Sequence, residues 1–313
     1  MPPDGILILD KPAGITSRQA VARVATLAGG VKAGHAGTLD PLATGVLVVC
    51  LGRGTLLAAY LAGGTKEYRV EALLGVETDT YDTDGKVVST RDAYGVTGGA
   101  LEDAVSELRG TTKQVPPPYS AVKVNGKPLY RYARRGEEVA AKERAVRVDS
   151  IELTDLSDGP RGRVATIDIR CGPGTYVRSL VHDLGERLGC GACVSSLVRV
   201  RSGPYALEDA VTLHELEREL GEAIAARLVT LEEATADMPT LALSGEQALA
   251  VTMGKPIEEG SAEPPCSGVF RIVDGSGALL ALYGPPRGED EGLSARAVRV
   301  VRPHNEAKSH EAA

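Results

Sequence analysis

Residues 5–9 form a short apolar run closed by Asp10-Lys11-Pro12, which reads as a buried strand with a sharp stop. Thr16 and Gln19 have capping-box spacing, and Val21, Val24, Ala25 and Ala28 follow at helical intervals until Gly29-Gly30 ends the helix. An unbroken apolar run over 46–51 predicts a second buried strand, and 56–62 a helical run stopped by Gly63-Gly64. From Lys66 the period changes to two, with Tyr68, Val70, Ala72 and Leu74 on one face of a strand. Asp84-Gly85 and Asn125-Gly126 are hairpin turns; Leu101, Ala104, Val105 and Leu108 mark an amphipathic helix, and 129–135 a brief one. Strands are predicted over 146–153, 164–171 and 194–200, with a helix over 175–188 carrying Val177, Leu180, Val181, Leu184 and Leu188 on one stripe.

Acidic helices are expected after residue 205, and from about 238 three strand-like pieces (270–273, 279–283 and 297–301) alternate with Gly and Pro turns. The pattern divides the chain into a large domain over 1–235, a small β-rich domain over 236–303 and a polar, disordered tail over 304–313. Strands dominate the first domain with helices set between them. The fold class is therefore α+β, with a mixed, mostly antiparallel sheet.

Composition narrows the class. Of 313 residues 43% are hydrophobic and 25% charged, and no apolar run approaches the roughly 20 residues of a membrane helix. The amino terminus offers only a four-residue apolar run after Asp4, so no secretory signal is expected. Five scattered cysteines fit a reducing, cytoplasmic setting. The net charge of −7 argues against a polyanionic partner until it is mapped. Nine acids against two bases between 205 and 240 account for all of it, whereas 111–148 carries nine bases against three acids. A phosphate backbone responds to charge within a Debye length of roughly 8 Å, so this basic stretch is a candidate nucleic-acid surface.

The candidate chemistry lies in 34–51. Gly34, Gly37 and Gly45 give this loop permissive backbone, and Pro41 forces the preceding Asp40 into extended geometry at the mouth of a buried strand. His35, Gly37, Leu39, Asp40, Pro41, Ala43 and Gly45 together match a His-x-Gly-x-Leu-Asp-Pro-x-Ala-x-Gly pattern. The stretch resembles the catalytic motif of the TruB family of RNA pseudouridine synthases, whose Asp is the nucleophile. An Asp in a dry pocket tends to be protonated, and an adjacent cation corrects this by roughly 1–3 pKa units. Gly174-Thr-Tyr-Val-Arg-Ser-Leu180 is similar to the family segment whose Arg pairs with that Asp, which nominates Arg178.

The resemblance further implies that Tyr68 stacks on the target base, that Tyr176 lines the pocket, and that His35 is a wedge in the RNA loop and not an acid–base partner of Asp40. Lys11 and Pro12 resemble a motif supporting the catalytic loop; Leu197 and Val200 would close the apolar side of the pocket. Substrate contacts are expected from Lys66 and, in the basic insertion, from Lys123, Arg134 and Arg135. The implied reaction needs no cofactor and no metal. The implied fold adds a small PUA-like domain at the carboxy end, and the implied substrate is uridine 55 in the T-loop of tRNA, handled by a monomer without a guide RNA. The alternatives are a guide-dependent or ribosomal-RNA pseudouridine synthase and a non-catalytic tRNA-folding module. Cys190-Gly-Ala-Cys193 has no second pair at metal-ligand spacing, and 79–85 lacks the acids of a calcium loop. Ser17 and Ser120 have no His–acid partners in the pattern.

Overall fold

The computed structural model of the protein describes residues 3–137, 139–219, 224–286 and 292–302. The 304–313 tail lies outside them. A ten-stranded sheet runs in the order Val211–Thr212, Gly5–Lys11, Thr44–Leu51, Ala192–Ser202, Lys66–Leu74, Gly162–Cys171, Arg144–Gly159, Gly110–Gln114. Ala33–His35 and Tyr205–Ala206 pair at its side. Neighbours on this path are antiparallel except at two places. Gly5–Lys11 runs parallel to Val211–Thr212, and Thr44–Leu51 runs parallel to Ala192–Ser202. The mixed, mostly antiparallel α+β architecture is thus as expected.

The apolar run of Thr44–Leu51 is unbroken because both faces of this strand are covered. Leu47, Val49 and Leu51 join the main core with Val24, Val70, Leu101, Ile167, Leu180 and Leu184. Val46, Val48 and Cys50 pack on the other face against Ile6, Ile8 and Tyr205. The helices Ser17–Leu27, Gly98–Ser106 and Val177–Arg187 cover the main core, and each fully buried Leu contributes about 1.5–3 kcal/mol. Thr16 caps the first helix through the expected reciprocal box with Gln19.

The acidic region folds differently from expectation. Among the described residues it forms one six-residue helix, Leu213–Arg218, with short 3-10 turns at Leu207–Asp209, Ala225–Arg227 and Glu233–Thr235. The acids explain it: Glu215 and Glu233 each accept hydrogen bonds from the backbone N–H and hydroxyl of the threonine three residues before, Thr212 and Thr230. Carboxylates used as caps start new turns instead of prolonging helices.

Beyond it a five-stranded sheet, in the order Thr240–Ala242, Phe270–Val273, Leu279–Gly284, Leu293–Val300, Ile257–Glu258, encloses its own core of Val251, Phe270, Ile272 and Tyr283. The helix Gly245–Thr252 packs on it and has no counterpart in the sequence reading, because its apolar stripe buries only Val251 and Thr252. Leu57, Leu231, Met238, Leu279, Leu282 and Val301 form a cluster joining the two sheets.

One backbone contact fixes the register on which the site depends. Gly45 (φ 93°) faces Arg199 across the parallel junction, and a Cβ at Gly45 would collide with the Arg199 carbonyl oxygen. Only glycine fits both the left-handed dihedral and the close approach. Gly45→Ala is expected to lower the free energy of unfolding by at least about 3 kcal/mol; an unshifted urea midpoint would refute the contact.

Candidate active site

The Asp40 loop connects Ala33–His35 to Thr44–Leu51, and two side chains from the start of the chain hold it. The Ser17 hydroxyl accepts the Leu39 N–H and donates to the Leu39 carbonyl, both at 2.8 Å, which locks the residue before Asp40. The fully buried Lys11 ammonium donates to the carbonyls of Pro12 (2.8 Å), Ile15 (2.8 Å) and Pro41 (3.3 Å). Burial pushes Lys11 down to about 8, although the Asp40 carboxylate opposes the shift.

Arg178 reaches this loop from the first turn of Val177–Arg187. Its Nε donates to Asp40 Oδ2 at 2.9 Å, Nη1 to the Thr80 carbonyl at 2.6 Å and Nη2 to the Tyr119 carbonyl at 3.0 Å. Nη1 also lies 3.4 Å from Asp82 Oδ2. The helix dipole disfavours a cation here, but two carboxylates and two carbonyls outweigh it. The Arg178 side chain is 5% exposed and that of Asp40 35%, so the cation is fixed and the carboxylate stays open to a ligand. Burial pushes the Asp82 carboxyl up, opposed by its hydrogen bond from Thr80 and by Arg178.

Backbone contacts complete the frame. The Gln114 amide donates to the Tyr176 carbonyl (3.0 Å) and accepts its N–H (2.8 Å), and Ser179 Oγ donates to the Val115 carbonyl (2.8 Å). A cleft of about 670 Å³ opens over Asp40, within the usual range of small-ligand pockets. His35, Tyr68, Tyr176, Arg178 and Leu197 line it, and Arg134 stands at its edge over the Tyr130 ring (5.4 Å). Burial pushes the Tyr68 and Tyr176 hydroxyls up. Burial, then the Arg199 guanidinium, pushes His35 down, so its imidazole is neutral near pH 7.

The sequence expectations meet this geometry unevenly. Lys11 and Pro12 sit beside the Asp40 loop and outside the cleft. Lys66 is not at the cleft: it is buried, and its ammonium donates to the Ala62 and Gly64 carbonyls. Val200 also lies outside the cleft lining, because strand alternation turns it away from the side that Leu197 presents. Lys123 and Arg135 are solvent-exposed on the basic insertion, away from the cleft wall.

Several residues of the site were missed. Asp82 and Thr80 belong to the loop set aside as a failed calcium site; the Asp82 carboxylate and the Thr80 carbonyl instead serve Arg178. Gln114, which holds the backbone of Tyr176, was not singled out. Ser17, without a nucleophile's partners, is a backbone clamp. Arg199 carried a legible signal: it shares the buried face of its strand with Leu197, where a charge is out of place.

Solved structures place the fold in a class. The chain superposes on a chain of a Cbf5-Nop10-Gar1 complex with a TM-score of 0.72 and 27% identity, covering 96% of this chain and 86% of that one. A chain of an archaeal box H/ACA Nop10-Cbf5 complex gives 0.70 and 25%, covering 97% and 88%. The fold is therefore of the Cbf5 type. Residues 25–177 match the N-terminal domain of the TruB family pseudouridylate synthases, and 178–236 the C-terminal domain of tRNA pseudouridylate synthase B. The tRNA pseudouridine synthase B of Symbiobacterium thermophilum is 49% identical over 251 residues, which is 80% of this chain and 82% of that protein. Its counterpart in Stutzerimonas stutzeri is 42% identical over 282 residues, covering 89% and 90%. The chain belongs to the TruB family of pseudouridylate synthases.

The Lys11 geometry generates a test. A lysine whose folded pKa is about 8, against an ordinary 10.5, binds more protons unfolded than folded between those values, so its contribution to stability rises with pH across that window. Lys11→Met strands the Pro12, Ile15 and Pro41 carbonyls and is expected to cost about 2 kcal/mol at pH 7. Urea unfolding between pH 7 and 10 should show the wild type gaining on the variant above pH 8; parallel curves would contradict the buried ammonium.

Proposed function

We propose that this protein converts uridine 55 in the T-loop of tRNA to pseudouridine, with Asp40 as the essential carboxylate. The observation that carries the reading is the Asp40–Arg178 pair at the floor of the cleft. The relatives named tRNA pseudouridine synthase B support the substrate class.

The geometry suits the chemistry. The target base leaves its stack to reach Asp40, and stacking on the Tyr68 ring, worth about 1–3 kcal/mol, offsets part of the few kcal/mol that flipping costs. His35, neutral and at the cleft wall, fills the space that the base vacates. Arg178 holds the Asp40 carboxylate in place without touching the base, since its donors are engaged by Asp40, Thr80 and Tyr119. With Asp40 in place, the bond from C1′ to N1 breaks, the base turns, and a bond from C1′ to C5 forms. The C5 proton is lost and N1 gains one, so the product is an isomer and no electrons are exchanged. Tyr176 and Leu197 close the pocket around the turning base. The 1–235 unit carries this chemistry, and the basic insertion, through Lys123, Arg134 and Arg135, grips the phosphates of the stem-loop. The enzyme acts as a monomer in the cytoplasm, without a guide RNA; among the described residues no helix is long and apolar enough to cross a membrane.

Pseudouridine mapping of an unmodified tRNA transcript incubated with the protein alone tests this. Conversion confined to position 55 is expected, reduced at least about 1,000-fold in Asp40→Asn and in Arg178→Met. Conversion at another position would overturn the substrate, and tight binding without conversion would favour a guide-dependent enzyme or a folding module.

A further inference from the structure

Arg199 is a buried cation without a carboxylate. It is 1% exposed and among the largest fully buried side chains. Among the described residues no ion pair to it is found. Its Nε donates to the Val46 carbonyl (2.7 Å), Nη2 to the Gly37 carbonyl (3.0 Å) and Nη1 to the Thr38 carbonyl (3.4 Å). These carbonyls lie on both sides of Asp40, so one planar guanidinium spans the two arms of the catalytic loop. Arg199 also sits directly opposite Tyr68 in the antiparallel pairing and opposite Gly45 in the parallel one. Its charge is felt at Tyr68, His35, Lys66 and Lys11.

A staple for loop carbonyls does not need a permanent charge. Burying an unpaired cation is costly, and a neutral amide donor can serve a carbonyl. Arginine adds two things here: a rigid fork that fixes the spacing of both loop arms, and a charge that cannot be lost by deprotonation. Both act where Asp40 and Tyr68 must be held relative to one another. We infer that Arg199 is a positioning residue for the reaction, setting the Asp40 loop against the Tyr68 ring and supplying a fixed positive field beneath the cleft. Its kinetic consequence rests on the pseudouridine synthase reading; its electrostatic consequence does not.

Arg199→Met and Arg199→Lys, each checked for folding by circular dichroism and thermal melting, separate the possibilities. For folded protein acting on the tRNA transcript, kcat is expected to fall about 100-fold in Arg199→Met, the scale of a misplacement near 1 Å, and about 10-fold or more in Arg199→Lys, which lacks the fork. KM is expected to stay within about threefold, because the basic insertion is untouched. Independently, NMR titration of the His35 ring is expected to give a higher pKa in Arg199→Met, since one of the two influences that lower it is gone. A folded Arg199→Met with wild-type kcat, or an unmoved His35 titration, overturns the proposal. Failure of both variants to fold would assign Arg199 to stability alone and overturn it as well. If the wild type itself converts no tRNA, the functional reading fails while the His35 titration still judges Arg199.

Discussion

The ion pair between Arg178 and Asp40 is the interaction on which the rest of the site depends. A guanidinium this deeply buried is stable only if its donors are engaged, and a carboxylate this exposed keeps one orientation only if a fixed partner holds it. The structure meets both needs by sharing one cation among several loops: 38–41 through Asp40, 79–85 through Thr80 and Asp82, and the root of the basic insertion through Tyr119. Gln114 and Ser179 bind that root to the same helical turn. A displacement of the insertion root is therefore transmitted to Arg178 by direct hydrogen bonds.

What the sequence disclosed follows from the range of the forces involved. Local signals were dependable: the capping box of Thr16 and Gln19, the apolar run of Thr44–Leu51, and the Asn125-Gly126 turn between Lys123–Val124 and Lys127–Pro128. The Asp40 and Arg178 motifs were legible through family resemblance, yet the 2.9 Å contact between residues 138 positions apart was not contained in any spacing. Lys66 was expected to contact the substrate through the family resemblance, whereas here two backbone carbonyls hold its ammonium. Asp82 was passed over because 79–85 was weighed only as a calcium loop and rejected, and only the folded loop turns this acid towards Arg178. The helix Gly245–Thr252 was missed because a helix burying two side chains leaves almost no periodic trace.

Charge is distributed by task. The acids of 205–240, which carry the whole net charge, cap turns and tie the two sheets together: the Glu232 carboxylate accepts the Leu279 N–H (3.1 Å) and Arg302 Nη2 (3.0 Å), and its carbonyl accepts Arg271 Nη1 (3.0 Å). The bases of the insertion remain exposed, with Lys113 and Arg135 facing acids only at 3.8 Å. Contacts of that length in water contribute little, so these cations stay available to phosphate.

Three cations surround the Asp40 loop, and their chemical differences match their places. Arg178 touches the carboxylate itself, where a planar fork can serve Asp40 and two carbonyls at once. Arg199 lies deeper, without a carboxylate, where a lysine would shed its proton and with it both the field and a donor. Lys11 lies behind the loop with its ammonium held by three carbonyls, and it is the one of the three that burial brings to about 8. The permanent charges therefore stand against Asp40 and opposite Tyr68, while the titratable one supports the backbone from behind. As pH rises through about 8 the loop loses the Lys11 charge and keeps the two guanidiniums, so the positive field behind Asp40 weakens there.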